Sequence, residues 1–482
     1  MTLNVMGKLK AFETECQKLN EEQFEAVNAL EGPVMVLAGP GTGKTQILAM
    51  RIANLLYQAV CDPESILCLT YTEAGATAMR KRLMDLIGSE SRKVNIHTFH
   101  SFCNRVISEF PDVFRTDEEF QIADILEERE LLEDLLRGIA PPNNLYRIDS
   151  NYQYILKPAS SLFETIKKEL IDPDVLKKDL LRHINDMRLE DKYYYKRATN
   201  GKKVGDFRNA KYETDIEKYN RTLSAIDLYP EYCRKLRERK RLDFNDLINE
   251  VILKLQESEE FLLTLQEKYQ YVLVDEFQDT NGSQLKILDL LISYWEQPNI
   301  FVVGDADQAI YRFQGANVRN MTEFNAKYNP FKIQLAKNYR SIQGILDASE
   351  QYISNNVERL GTRHGPLIAA SGPNIRKPLL VKYNAIIEEV KDICDQIENL
   401  VKNENIKPDK IAVLFRKNKE AEEYAKGLMS RDINVSISKE VNVLQHPIIQ
   451  YILNILKYIS TEFTMPRMNE WLLYEILHAP FI

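Results

Sequence analysis

A glycine-rich loop carries the residues with the clearest chemical use. Lys44 and Thr45 follow two closely spaced glycines, directly after an apolar run. Glycines let backbone N–H groups close round phosphates, and the N-terminus of a following helix adds a favourable dipole. Lys44 is therefore predicted to reach the β- and γ-phosphates of a nucleotide, and the Thr45 hydroxyl to ligate Mg²⁺. The predicted nucleotide contacts are Gly39, Gly41, Thr42, Gly43, Lys44 and Thr45.

The first position of this phosphate-binding pattern departs from the usual one. Ala38 stands where glycine is common, which is tolerable because Gly41 and Gly43 are the glycines pressed against phosphate. An ordinary strand-to-helix turn is the alternative. The combination of strand, glycines, Lys44 and Thr45 in register favours the phosphate-binding loop.

Two adjacent carboxylates end another apolar run. Asp275 and Glu276 follow the sequence YVLV at 271–274, which predicts a buried strand. Beside a phosphate-binding loop, Asp275 is predicted to hold Mg²⁺, and Glu276 to orient and deprotonate the attacking water. A turn or a helix N-cap is the simpler explanation for an acidic pair after a strand. The presence of a phosphate-binding loop favours the explanation that the pair binds Mg²⁺ and activates water.

Two glutamines are candidates for sensing the nucleotide. Gln308 ends an acidic loop after a further apolar run and is predicted to sense the γ-phosphate. Gln23 lies on a short amphipathic helix with Asn20 as its N-cap, and its amide can pair with N6 and N7 of adenine. Tyr311 and Phe313 closely follow Gln308. We predict that these rings stack on a bound base, so that hydrolysis is communicated to it.

A parallel sheet must position these residues. Apolar runs at 34–37, 65–72 and 94–98 each precede a loop and a helical pattern, as in repeated βαβ units. Such sheets bind ligands at the C-terminal ends of their strands. Four residues there are predicted to contact single-stranded nucleic acid by hydroxyl-to-phosphate bonds and ring stacking: Thr70, Tyr71, Thr98 and His100. That they are core and turn residues is an alternative that stays open.

Helical patterns replace the strands after residue 110. The spacing at 123–139 and 156–188 predicts amphipathic helices, hence a helical insertion between two halves of one sheet. Within it, basic residues alternate with aromatic ones at 192–211, which suits single-stranded nucleic acid, although a solvated loop is the commoner explanation. The sequence DFNDL at 243–247 predicts a capped helix start leading back into the sheet, in preference to a nuclease site.

Length and composition limit the class of protein. At 482 residues the chain is too long for one core, so roughly two to four domains are expected. Hydrophobic residues at 44%, with 28% charged, indicate a globular protein, and a net charge of −8 argues against a generally basic nucleic-acid coat. No apolar run approaches the roughly 20 residues of a membrane helix, and the cysteines show no metal-binding spacing. We expect a cytoplasmic protein with free thiols and no structural metal.

The motifs, taken in order, resemble those of superfamily 1 DNA helicases of the UvrD/Rep/PcrA type. They are the glutamine at 23, the Walker A loop at 38–45, LTYT at 69–72, TFHSF at 98–102, VDEFQD at 274–279, GDADQ at 304–308 with IYRFQGA at 310–316, and LAKNYRS at 335–341. So many motifs in this order are specific to that family. The resemblance covers nearly all the residues present.

The resemblance implies further roles. In that family the last motif belongs to a second RecA-like domain, which implies Arg340 as an arginine finger for the γ-phosphate and Tyr339 as the ring stacked on adenine. It also implies an ATP site between two domains and 3′-to-5′ polarity. Many relatives have Trp and Arg where this chain has Phe313 and Gln314. Phe313 can still stack, but Gln314 cannot make a charge-assisted phosphate contact.

The implied fold is α/β, with RecA-like P-loop NTPase domains and a helical insertion. The domains expected are 1–110, first part of RecA-like domain 1A; 111–238, helical insertion 1B; 239–330, second part of 1A; 331–443, an incomplete RecA-like domain 2A; and 444–482, the truncated start of insertion 2B. Strands are predicted at 378–381 and 410–416. The family's later motifs are expected to be absent, and ATP turnover correspondingly slow.

The function expected is that of an ATP-dependent DNA helicase or translocase. It would couple Mg-ATP hydrolysis to movement along single-stranded DNA, act at junctions of single- and double-stranded DNA, and serve DNA repair or recombination. Two alternatives stay open: a translocase without useful unwinding, and an ATP-gated module that binds single-stranded DNA.

Overall fold

The computed structural model describes residues 12–114, 121–148, 151–198, 201–309, 319–355, 365–372, 374, 376–417, 420–437 and 447–478. The chain divides into two compact units, Met1–Pro378 and Leu379–Ile482. The domain limits predicted from the sequence stay predictions. In these described ranges, no helix is long and apolar enough to cross a membrane.

Six strands of the first unit form a parallel sheet. Numbered along the chain, the strands of this unit are β1 Val34–Ala38, β2 Ile66–Thr70, β3 Asn95–Thr98, β4 Gln121–Ile122, β5 Arg241–Leu242, β6 Tyr271–Val274, β7 Ile300–Gly304, β8 Phe331–Leu335, β9 Lys337–Asn338 and β10 Ile368–Ala369. The strands of the sheet lie in the order β3, β2, β6, β7, β1 and β8. The short strands form two parallel pairs, β4 with β5 and β9 with β10. This sheet confirms the α/β fold class.

Helices account for most of the remaining structure. In the described part of the first unit they include α1 Glu21–Asn28, α2 Lys44–Tyr57, α3 Glu73–Ile87, α4 Phe99–Glu109, α5 Ile125–Arg137, α6 Gln153–Lys168, α7 Pro173–Asp186, α8 Asn209–Glu238, α9 Phe244–Glu257, α10 Glu259–Lys268, α11 Gly282–Ile292, α12 Arg319–Tyr328 and α13 Gln343–Ile353. In the second they are α14 Ile386–Lys402, α15 Ala421–Met429, α16 Pro447–Thr464 and α17 Glu470–Leu477.

Two hydrophobic clusters cover the two faces of the six-stranded sheet. Val34 and Val36 of β1 lie in one cluster, while Met35 and Leu37 lie in the other. Successive side chains of a strand point to opposite faces, so a strand covered on both sides must be apolar throughout. This explains why every residue of β1, β2, β6 and β7 is buried.

The order of strands separates two motifs that we expected side by side. β7 lies between β6 and β1, and Gly304 at its end pairs in register with Leu37. The carboxylates after β6 therefore reach the phosphate-binding loop across the end of β7. A second difference concerns β8, at 331–335, which the sequence assigned to a second RecA-like domain. It pairs with β1 as the edge strand of the first sheet.

Helices α5 to α8 form the helical insertion, and α5, α6 and α8 share a hydrophobic cluster of their own. The chain leaves and re-enters the sheet domain at the β4–β5 pair. Asp243 then caps α9 by accepting hydrogen bonds from two backbone N–H groups of its first turn. This confirms the predicted capped helix start. Lys167 of α6 forms ion pairs with this first turn: its Nζ lies 2.5 Å from Asp243 Oδ2 and 2.8 Å from Asp246 Oδ1.

The second unit consists of helices joined by irregular segments. No strand occurs at 378–381 or 410–416, both of which the structure describes, so these two strand predictions were wrong. Leu380 and Leu414 are 95% and 93% exposed. A strand needs a hydrogen-bonded neighbour, and alternating apolar residues do not provide one. The predicted entry to a second helical insertion falls partly at 441–446, outside the described residues, and partly on α16.

Candidate nucleotide site

The phosphate-binding loop has the backbone that its glycines predict. Gly41 and Gly43 have φ angles of 71° and 93°, a region that side chains make costly. A Cβ at Gly41 would lie 2.6 Å from Cβ of Arg340, so this glycine also permits a close approach. Lys44 is the first residue of α2, which brings the helix N-terminus to the loop. Buried Thr42 closes the turn by donating its hydroxyl to Gly39 O at 2.9 Å.

One cavity of about 470 Å³ collects most of the predicted nucleotide residues. Its lining residues, all in the first unit, are Pro40, Gly41, Gly43, Lys44, Thr45, Gln46, Ala78, Arg82, Glu276, Gln308, Tyr339 and Arg340. A larger cavity of about 980 Å³ lies in the second unit, but its mainly apolar lining contains no residue predicted for chemistry. The smaller cavity is therefore the candidate site.

Lys44 and Glu276 form an ion pair at the bottom of this site. Lys44 Nζ lies 3.0 Å from Glu276 Oε2, and the lysine is only 9% exposed. Glu276 adopts a φ of 49°, which is uncommon for a residue with a side chain. Strained backbone of this kind persists only where its surroundings fix it. The carboxylate predicted to activate water is thus held against the lysine predicted to bind phosphate.

Asp275 and Thr45 provide the oxygen atoms suited to a divalent cation. Burial, followed by the charge of Glu276, raises the pKa of Asp275 to about 6, with Lys44 opposing the shift. A buried carboxylate with a raised pKa gains from a nearby cation. Carboxylate and hydroxyl oxygens are also the donors that Mg²⁺ prefers, so the residues fit that ion. Within the described residues no group of three or more His, Cys, Asp or Glu could hold a metal.

Gln308 is fixed by the acidic loop in which it lies. Its Nε2 donates to Asp305 Oδ2 at 2.8 Å, and the N–H of Asp307 donates to Asp305 Oδ1 at 3.1 Å. Asp305 itself is buried at the end of β7. Gln308 lines the cavity, and its role as a sensor of the γ-phosphate stays a prediction.

Asn338 ties Tyr339 and Arg340 to the phosphate-binding loop. Its Oδ1 accepts hydrogen bonds from the N–H groups of Arg340 and Ser341 at 2.9 and 2.7 Å, and its Nδ2 donates to Pro40 O. The N–H of Tyr339 donates to Gly41 O at 2.8 Å. Both Tyr339 and Arg340 have exposed side chains at the cavity. Their implied roles stay predictions.

Gln23 contacts the loop with its own amide. Its Nε2 donates to Thr42 O at 2.8 Å, and its Oε1 accepts from the N–H of Asn20 at 3.1 Å. The second contact belongs to a capping box at the start of α1, which confirms Asn20 as the N-cap. Adenine recognition by Gln23 stays a prediction, and it requires these hydrogen bonds to be exchanged for bonds to the base.

Thr70 and Thr98 lie at the C-terminal ends of β2 and β3, where they pair in register. Both side chains are buried. The Thr70 hydroxyl donates to Thr72 O at 3.1 Å, and that of Thr98 donates to Glu73 Oε1 at 2.8 Å while capping α4. Contacts to DNA stay a prediction for both residues. In this structure their hydroxyls already donate hydrogen bonds within the protein.

His100 and Tyr71 lie at the same end of the sheet and are only partly buried. Burial, and then the charge of Lys168, lowers the pKa of His100. Its buried Nε2 has no hydrogen-bond partner, and its ring meets the exposed ring of Phe244 edge-on at 5.6 Å. Tyr311 and Phe313, the other predicted DNA contacts, lie outside the described residues.

The basic and aromatic residues of the insertion mostly contact one another. The ring centroids of Phe207 and Tyr212 lie 5.1 Å apart, and those of Tyr193 and Tyr212 lie 5.3 Å apart. Lys192 Nζ lies 4.9 Å from the ring of Tyr193. These rings form a small core with cations at its rim, so binding of nucleic acid here stays a prediction.

Two functional candidates were missed from the sequence. Gln278 and Asn338 are each only 1% exposed and bridge separate segments at the cavity. Both occur within motifs that were recognised, but each bridges segments that only the folded chain brings together. A polar residue between known site residues was the available signal.

Family models match nearly all of the described chain. Residues 19–329 match the UvrD/REP helicase N-terminal domain. Residues 333–474 match the UvrD-like helicase C-terminal domain. The first match alone covers more than half of the sequence and contains the cavity residues from Pro40 to Gln308.

Known proteins from two staphylococci are similar to this chain. It is 29% identical to the ATP-dependent DNA helicase PcrA of Staphylococcus epidermidis over 420 residues, or 86% of this chain and 50% of that protein. It is 31% identical to the ATP-dependent DNA helicase PcrA of Staphylococcus aureus over 342 residues, or 71% of this chain and 40% of that protein. The chain thus spans half or less of the length of these relatives.

Proposed function

Because the chain belongs to the UvrD/REP helicase family, we propose that it is an ATP-dependent DNA helicase or translocase. The observation that carries the proposal is the cavity shared by Lys44, Glu276, Gln308 and Arg340. These residues supply a phosphate ligand, a general base, a phosphate sensor and an arginine in one place. This combination suits phosphoryl transfer to water, because catalysis of that reaction is mainly positioning and charge stabilisation.

Binding of ATP exchanges one ion pair for others. Its phosphates accept hydrogen bonds from the backbone of the loop and from the N-terminus of α2, while Lys44 turns from Glu276 to the β- and γ-phosphates. Glu276, 3.0 Å from Lys44 before this exchange, is then free to take a proton from the attacking water. Arg340 stabilises the negative charge that develops on the γ-phosphate.

Mg²⁺ is the proposed cofactor. Thr45 and Asp275 would hold it, because they offer the oxygen ligands that this ion prefers. When bound, it neutralises charge on the β- and γ-phosphates. The protein groups fix the phosphates from the other side through Lys44 and the loop N–H groups.

Single-stranded DNA, and its junctions with double-stranded DNA, are the proposed substrates. The strands β2 and β3 end on the same side of the parallel sheet as β1, which leads into the nucleotide site. The predicted DNA contacts lie at these C-terminal ends: Thr70, Tyr71, Thr98 and His100. Movement in the 3′-to-5′ direction, a role in DNA repair or recombination and a cytoplasmic location complete the proposal. A non-motor, ATP-gated binding module is not favoured, because residues 333–474 match the family's C-terminal domain.

Unwinding of tailed duplexes tests the proposal. The whole chain is mixed with Mg-ATP and a labelled duplex that carries either a 3′ or a 5′ single-stranded tail. Strand release from the 3′-tailed duplex alone, absent in Lys44→Ala, supports a 3′-to-5′ helicase. DNA-stimulated ATP hydrolysis without strand release from either duplex supports the translocase without unwinding. If the chain neither hydrolyses ATP nor releases a strand, the proposed motor is contradicted.

A further inference from the structure

The amide of Gln278 lies between the two loops that follow β6 and β7. Its Nε2 donates to Glu276 Oε2 at 2.8 Å, and its Oε1 accepts from the N–H of Asp305 at 2.9 Å. The Gln278 side chain is 1% exposed, so its bond to Asp305 is buried, while its bond to the carboxylate of Glu276 is partly buried. A buried side chain that loses its hydrogen-bond partners leaves polar atoms unsatisfied, which is costly.

The fold provides a specific space for this amide. At Gly304, the last residue of β7, a Cβ would lie 2.7 Å from Gln278 Oε1 and 3.3 Å from its backbone N. Any larger residue there would displace the glutamine. Since β7 lies between β6 and β1, the amide crosses the end of the strand that separates the carboxylates from the phosphate-binding loop.

At one end of this bridge, Gln278 fixes the general base. Glu276 Oε2 receives both Gln278 Nε2 at 2.8 Å and Lys44 Nζ at 3.0 Å. Both donors bind the same oxygen atom. When the phosphates of ATP draw Lys44 away, Gln278 still holds Oε2, which leaves Oε1 to accept a proton from water.

At the other end, the bridge reaches the proposed phosphate sensor. Asp305 donates its N–H to Gln278. Its carboxylate also accepts a hydrogen bond from Gln308 Nε2 at 2.8 Å. Glu276, Gln278, Asp305 and Gln308 therefore form a continuous chain of hydrogen bonds. Three hydrogen bonds of 2.8 to 2.9 Å thus join the proposed sensor to the proposed base.

We propose that Gln278 is a positioning residue that holds Glu276 for activation of water and couples it to the loop of Gln308. The proposal rests on the proposed ATP hydrolysis. Gln278 is 1% exposed and does not line the cavity. Its effect must therefore appear in turnover, through Glu276, and not in the affinity for ATP.

Gln278→Met tests this, because methionine keeps the length of the side chain and removes both hydrogen bonds. Gln266→Met is the matched control: Gln266 is 4% exposed and donates to Leu290 O at 2.8 Å, among helices away from the cavity. We expect Gln278→Met to lower kcat about tenfold to a hundredfold, as for a misplaced catalytic group. ATP affinity, measured with a fluorescent analogue, should stay that of Gln266→Met.

A double variant separates positioning from a general structural effect. If Gln278 acts through Glu276, then Glu276→Gln combined with Gln278→Met hydrolyses ATP as slowly as Glu276→Gln alone. A further loss in the double variant overturns the proposal, and so does a kcat of Gln278→Met equal to that of Gln266→Met. Background hydrolysis by the unaltered chain overturns the proposed function as well, whereas normal hydrolysis that depends on Glu276 but not on Gln278 overturns this inference alone.

Discussion

Asn338→Ala should uncouple the arginine of the site from the phosphate-binding loop. Asn338 accepts from the N–H groups of Arg340 and Ser341 and donates to Pro40 O, and it is 1% exposed. Alanine removes all three of these hydrogen bonds, which are partly buried. At about 1 kcal/mol for each bond, the loss of stability is about 3 kcal/mol.

Turnover should fall as well, and for a reason that is separate from the loss of stability. The N–H of Tyr339 still donates to Gly41 O, so the segment stays near the loop, but the backbone of Arg340 loses its acceptor. Misplacement of a catalytic group by about 1 Å reduces turnover by about a hundredfold. We therefore expect about a hundredfold lower kcat for ATP, with the fold retained.

Urea unfolding and steady-state ATP hydrolysis measure the two effects. Asn95→Ala is the matched control, because Asn95 is also buried and its Nδ2 donates to Glu64 O and Ile66 O at 2.7 and 3.3 Å, at the opposite end of the sheet. It should lose comparable stability and keep its turnover. Equal turnover of the two variants would refute the coupling of Asn338 to the nucleotide site.

Three further predictions concern the loop, the insertion and the pH dependence of stability. Gly41→Ala should abolish ATP binding in a nucleotide titration, because its Cβ meets neighbours at 2.6 and 2.9 Å, whereas Gly32→Ala, with a similar φ and open space, should bind normally. Lys167→Met should lower the free energy of unfolding by about 3–5 kcal/mol, since it leaves the buried Asp243 and the partly buried Asp246 without their cation; a urea midpoint like that of the unaltered chain contradicts this. Burial, and then Arg105, lowers the pKa of His97 from 6.5 to about 4, so this residue makes stability fall as pH drops from 6.5 to 4. His97→Gln should lose less stability over that interval in urea unfolding, and an equal loss contradicts the assignment.

The sequence predicted the first sheet largely because its strands are covered on both faces. Such strands are continuous apolar runs, and the loops after them carried the recognisable residues Lys44, Asp275 and Gln308. In the second unit, the same kind of pattern at 378–381 and 410–416 predicted strands that did not form, because pairing depends on neighbours and not on the segment itself.

Contacts across the site could not be predicted in this way. The order of strands places β7 between the two main motifs, and no local pattern contains that order. Gln278 and Asn338 each join loops that are far apart in sequence or lie on different strands. The roles of both residues can be inferred only from the folded chain, in which the C-terminal ends of β1, β6, β7 and β9 lie close together.

ATP hydrolysis with and without single-stranded DNA tests the proposed motor most directly. The unaltered chain should hydrolyse ATP faster when DNA is present, and both Lys44→Ala and Arg340→Ala should abolish that stimulation. The first variant removes the phosphate ligand and the second the charge that stabilises the transition state. Binding of ATP with hydrolysis at background in all three proteins, with or without DNA, would contradict the account.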